Sequence, residues 1–179
     1  MLSLLLYIIN GGKIMRGKVY TSYIANIKHI PEGVKKILIT RIIPQGLNLI
    51  SHNLVCFQEL SPLKQTLKEY KNKKLTFEEF ESKFRKQINN SDMALMTLEI
   101  IESYLDEGND ICIICYEKDM KVCHRSIEGR YYLSLGYEWA EIIKGGGMIN
   151  QEAYTQFSPA HALAYTKMTE LAVLLKETM

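Results

Sequence analysis

The chain has 179 residues, 47% apolar and 23% charged, which is the balance of one ordinary globular domain and excludes a disordered chain. A formal net charge of +2 gives no bulk electrostatic case for nucleic-acid binding. Cys56, Cys112, Cys115 and Cys123 lack the spacing of a secreted disulfide framework, so thiols or ligands in a reducing cytoplasm are expected.

The apolar run Leu2 to Ile9 lacks a basic segment before it and a cleavage site after it, and it is too short to span a bilayer. Residues 1–14 are therefore expected to lie outside the fold, with translation starting at Met15. An α/β domain is expected over 15–144, with a Gly-rich hinge and an appended helix (Ala160 to Lys176) in 145–179.

Strands are predicted at Lys18–Tyr23, Lys36–Arg41, Asn53–Phe57, Asp110–Cys115 and Trp139–Ile143. The run Ile111–Ile114 is apolar at every position, the mark of a central parallel strand covered by helices on both faces. Ser61-Pro62 reads as a helix start, followed by the stripe Leu63, Leu67 and Tyr70. Lys64, Lys68, Lys71, Lys73 and Lys74 cluster on that helix and its exit, where a solvated face explains them.

Thr76-Phe77-Glu78-Glu79 is a capping box, and Phe77, Phe80, Phe84 and Ile88 then share one face. A third helix begins near Asp92, turns Leu95, Leu98, Ile101 and Leu105 inward, and stops at Gly108. A fourth covers roughly Lys121 to Leu135. Strands alternating with helices in this order predict a single-domain, Rossmann-like α/β fold, a mostly parallel sheet flanked by helices.

Parallel sheets place ligands outside the carboxyl ends of their strands. Cys115 ends the buried strand, and Cys123-His124-Arg125 open the next helix, with Glu117 and Lys118 between them. Two thiols, an imidazole, a carboxylate and a guanidinium thus gather at one strand end. Cys123 in a first helical turn beside Arg125 is expected to have a lowered pKa.

Each residue also has an ordinary structural reading. Cys112 is a small buried hydrophobe, and Cys112-x-x-Cys115 is no redox pair, because a strand turns those side chains to opposite faces. Cys115 reads equally as core. Glu117 caps the helix or pairs with Lys118, and Arg125 is a surface arginine. Three ligands at Cys115, Cys123 and His124 match no familiar zinc spacing, so neither metal nor cofactor is expected.

The segment Ile111 to Ser126, ICIICYEKDMKVCHRS, resembles the signature of the bacterial family catalogued as domain of unknown function 488. That signature is an apolar strand, Cys-x-Glu-Lys, a short gap, and Cys-His-Arg opening a helix. Tyr20 to Gly33, with Ser22, Tyr23 and Asn26, is similar to its first strand and turn, and Gln58 to Pro62 to its middle segment. The resemblance implies a Rossmann-like fold and a polar pocket, and no particular reaction. The extension before Met15 and the tail after Gly145 depart from it.

Two functional readings stand. One is an enzyme of a bacterium or phage acting on a nucleotide, nucleobase or nucleic acid. In it Cys123 or Cys115 is nucleophile or polar anchor, and Glu117 with His124 the acid–base pair. Arg125, Arg41, Ser22, Tyr23, Asn26 and Lys118 then line the substrate crevice. The other is a non-catalytic ligand- or metal-binding module, or a purely structural cluster.

Overall fold

The structure is a computed structural model, and residues 16–150 are described. Strands β1 (Val19–Tyr23), β2 (Lys35–Leu38), β3 (Leu54–Cys56), β4 (Ile111–Cys115), β5 (Trp139–Ile142) and β6 (Met148–Asn150) form one sheet, ordered β3-β2-β4-β1-β5-β6. All pairings are parallel except β5 with β6. Strand β4 is buried at every position and lies between β1 and β2, as its unbroken apolar run predicts. This is a mostly parallel, Rossmann-like α/β sheet flanked by helices.

Helices α1 (Lys64–Lys71), α2 (Phe77–Asn89) and α3 (Asp92–Asp106) connect β3 to β4, and α4 (Arg125–Ser134) connects β4 to β5. The Thr76 capping box forms, with the threonine hydroxyl accepting from Glu79 N–H and the Glu79 carboxylate accepting from Thr76 N–H. Phe80 and Phe84 are fully buried beneath it. Each such burial stabilises by roughly 1.5–3 kcal/mol.

Several sequence expectations change at the boundaries. Helix α1 starts at Lys64 rather than Pro62, because the Ser61 hydroxyl donates to Gln58 O and holds a preceding 3₁₀ turn. Leu63 is left half-exposed. On α3, Ala94 replaces Leu95 as the inward residue, since Ser91 caps the helix and sets its phase. Helix α4 begins at Arg125, after a 3₁₀ turn over Met120–Val122, so Cys123 is extended backbone just before the His124 N-cap.

The two faces of the sheet are covered differently. All four α-helices contribute to one core, which takes Val19, Ile37, Ile111, Ile113 and Cys115 from the strands. The other core takes Leu38, Leu54, Cys112, Ile114 and Ile142, covered by the 3₁₀ helix Ile24–His29 and by residues of the long β2–β3 loop such as Leu47 and Leu49. Among the described residues, then, the α-helices lie on one face, not both. A buried central strand needs cover on each side, but a loop carrying enough apolar residues supplies it.

Gly145 and Gly146, with φ of 85° and 84°, form the turn of the β5–β6 hairpin where a hinge was expected. The appended helix over Ala160 to Lys176 and the segment 1–14 lie outside the described residues. Among the described residues, no helix is long and apolar enough to cross a membrane.

Candidate functional site

Cys115 leaves the sheet at the carboxyl end of β4, and the chain must return to start α4 beside the same strand. Arg125 makes that return. Its side chain is fully buried; Nη1 donates to Glu117 O, and Nη2 donates to Lys118 O at 3.0 Å and Glu141 Oε1 at 2.9 Å. Glu141 also accepts from Thr21 Oγ1 at 2.5 Å, and Thr21 Oγ1 in turn accepts from Trp139 Nε1. A guanidinium this deep is stable only with charge and hydrogen bonds to meet it, and Glu141 supplies the charge. Trp139 fits because residue 129 is glycine, as a Cβ there would lie 2.3 Å from the indole ring.

With the loop drawn in, three donor atoms converge. Sγ of Cys115, Sγ of Cys123 and a ring nitrogen of His124 all lie within 4.8 Å of one another, and all three residues are buried. Cys115 Sγ is 3.6 Å from His124 Nδ1 and 3.7 Å from Nε2, while Cys123 Sγ is 4.0 Å from Nδ1. Glu117 Oε2 accepts from both thiols, at 3.3 Å and 3.7 Å. His124 Nε2 is 2.9 Å from Ile39 O. A carbonyl only accepts, so Nε2 carries the proton and Nδ1 is left with its lone pair on the side of Cys123, while Cys115 Sγ lies almost equally near the two ring nitrogens. Phe84 packs edge-on against the ring, with centroids 5.5 Å apart.

Burial alone would raise the Cys123 thiol, but hydrogen bonds to Cys115 and His124 and the charges of His124 and Arg125 outweigh it. Cys123 is held well below its ordinary value. Burial pushes Cys115 well above, and its contact with Cys123 adds to this. For His124, burial opposes the charged ring, yet Cys123, the Ile39 carbonyl and Glu128 together raise it. Glu117 is lowered despite burial, through the Cys115 hydrogen bond, its own backbone and Lys71. Cys112, on the opposite face, is raised well above its ordinary value by burial first and by the Glu141 charge second.

A cavity of about 380 Å³ opens above this cluster. Glu117, Cys123 and His124 form its floor; Leu67, Tyr70, Leu75 and Phe80 line its walls, and Lys71 and Lys73 its rim. Lys71 Nζ is 3.4 Å from Glu117 Oε1.

Of the remaining residues expected at the site, Tyr23 lies beside Cys115 on the neighbouring strand, and the others do not gather there. Ser22 Oγ donates to Ile142 O at 2.9 Å, and Asn26 Nδ2 reaches Ser22 Oγ, Ile142 O and Ile143 O. Both stitch β1 to β5. Arg41 donates to the carbonyls of Pro62 and Ser61, where it fixes the entry to α1. Tyr23 is buried at the end of β1, in register with Cys115. The Lys118 side chain faces solvent, and its carbonyl serves Arg125. Arg125 itself is the staple rather than a phosphate ligand at the surface.

Sequence reasoning missed Thr21 and Glu141. The available signal was a lone carboxylate within the apolar strand Trp139–Ile142, which needs a buried partner.

The chain matches the family model described as the Active DUF488-N3 subclade over residues 19–132, from β1 through most of α4. No curated protein and no solved structure matches it. The family match spans more than half of the chain and contains Cys115, Glu117, Cys123 and His124. The chain belongs to the DUF488 family.

Proposed function

We propose that this protein is a cytoplasmic enzyme acting on a nucleotide-like, phosphate-bearing substrate, whether a free nucleotide, a nucleobase derivative or a nucleic-acid segment. One observation carries this reading: the cavity places a thiol, an imidazole and a carboxylate together at its floor. Its volume falls in the range of small-molecule sites, and its walls are apolar and aromatic with few polar groups. Glu117 and His124 are the acid–base pair, and the thiols are the nucleophile or the polar anchors beneath the substrate.

Lys71 and Lys73 take over the phosphate contact, because Arg125 spends its donors inside the fold. The subclade's description as active agrees with an enzymatic role. A thermal-shift screen of the full chain against nucleotides and short DNA tests the reading. Stabilisation by at least one phosphate-bearing compound is expected, and it should disappear when Lys71 and Lys73 are both changed to Ala. Uniformly flat responses across the screen would refute the substrate class.

A further inference from the structure

The spacing of Cys115, Cys123 and His124 resembles no familiar metal motif, and in sequence it argues against one. The fold removes that objection. The loop folds back under Arg125, and the three donors meet although the seven residues 116–122 separate Cys115 from Cys123 and His124. A tetrahedral zinc ion, with bonds of about 2.3 Å to sulfur and about 2.0 Å to nitrogen, sets sulfur and nitrogen roughly 3.6 Å apart. The distances to Nδ1 are 3.6 Å for Cys115 and 4.0 Å for Cys123; Cys115 Sγ is also 3.7 Å from Nε2, so a turn of the Cys115 or His124 side chain brings both sulfurs to the Nδ1 lone pair.

We propose that Cys115 Sγ, Cys123 Sγ and His124 Nδ1 bind a thiophilic divalent cation, zinc by its donor set, with a fourth position open to the cavity beside Glu117. The surroundings suit such a centre. A ligating histidine ordinarily donates its other N–H to a carbonyl or carboxylate, and His124 Nε2 faces Ile39 O in that way. Phe84 fixes the ring plane. Two thiolates and one imidazole make a donor set selective for zinc over magnesium or calcium. Three protein ligands with one free position distinguish a catalytic zinc from a structural one. Glu117 can complete the shell or act on a group bound there.

The proposal deepens the enzyme reading and depends on it only for the role of the open position. In it the thiols are anchors, and Glu117 remains as the acid–base group.

The test uses the full chain purified without chelator. Elemental analysis should find about one zinc per chain, and Cys115→Ser and Cys123→Ser should each lose it while Cys56→Ser keeps it. Exchange of wild-type protein into cobalt should give a near-ultraviolet thiolate charge-transfer band with the intense visible bands of a tetrahedral ion. That measurement does not depend on whether the serine variants fold. In the wild-type protein, iodoacetamide should reach Cys123 only after chelation.

A zinc-free protein that takes up neither zinc nor cobalt would overturn the proposal. So would cobalt spectra without thiolate bands, or Cys123 labelling at the same rate with and without chelator. Zinc without any nucleotide stabilisation would instead sink the substrate class and leave the metal site standing.

Discussion

Two neighbouring strand ends carry the polar residues expected to form one site, and they have opposite fates. At the end of β4, Cys115, Glu117, Cys123 and His124 turn toward one another and, Cys115 apart, toward a cavity. At the end of β1, Ser22 and Asn26 spend their hydrogen bonds on the carbonyls of Ile142 and Ile143. Polarity at a strand's carboxyl end is therefore not enough to define a site. What matters is whether the donors are consumed by neighbouring backbone, as at β1, or left facing a space, as at β4. Arg125 marks the boundary, since its own donors are consumed while they hold the loop that carries Glu117.

The largest effect is expected where that boundary is broken. Arg125→Ala leaves the Glu141 carboxylate buried without its ion pair and releases the Glu117–Lys118 backbone. A loss of about 3–5 kcal/mol is expected from urea unfolding, together with the zinc. A cost well under 1 kcal/mol would mean that the loop is held by something other than this staple.

Next comes Glu128, one turn beyond His124 on α4. Burial disfavours its carboxylate more than His124 and Arg85 favour it, and its pKa is raised to about 7 from 4.5. Between those values the folded state keeps a proton that the unfolded chain has released, so stability falls as pH rises through that window. Glu128→Gln should remove this loss, on the order of 2–4 kcal/mol between pH 4 and pH 8. Parallel stability profiles of the two proteins would show that Glu128 is solvated or paired.

The smallest effect belongs to the β1 end. Asn26→Ala deletes donations to Ser22, Ile142 and Ile143 but also an Oδ1 that has no partner. A cost of about 1–2 kcal/mol is expected, with zinc content and ligand stabilisation unchanged. Loss of ligand stabilisation in a folded Asn26→Ala protein would return the β1 end to the site.

Read alone, the sequence determined the features that local chemistry encodes. The capping box at Thr76 needs only three intervals of chain, and the buried strand needs only an unbroken apolar run. The same run followed by Cys-x-Glu-Lys and Cys-His-Arg marked the residues that cluster in the candidate site, and strand alternation placed Cys112 and Cys115 on opposite faces. Tertiary structure decided what those residues do. His124 takes its tautomer from Ile39, 85 residues away in sequence, and Arg125 takes its burial from Glu141 across the sheet. The one-sided helix cover likewise depends on where loops land. Contacts of this kind arise between segments that have no common periodicity, so no local pattern announces them, and only the closed fold brings two sulfurs and an imidazole within reach of one ion.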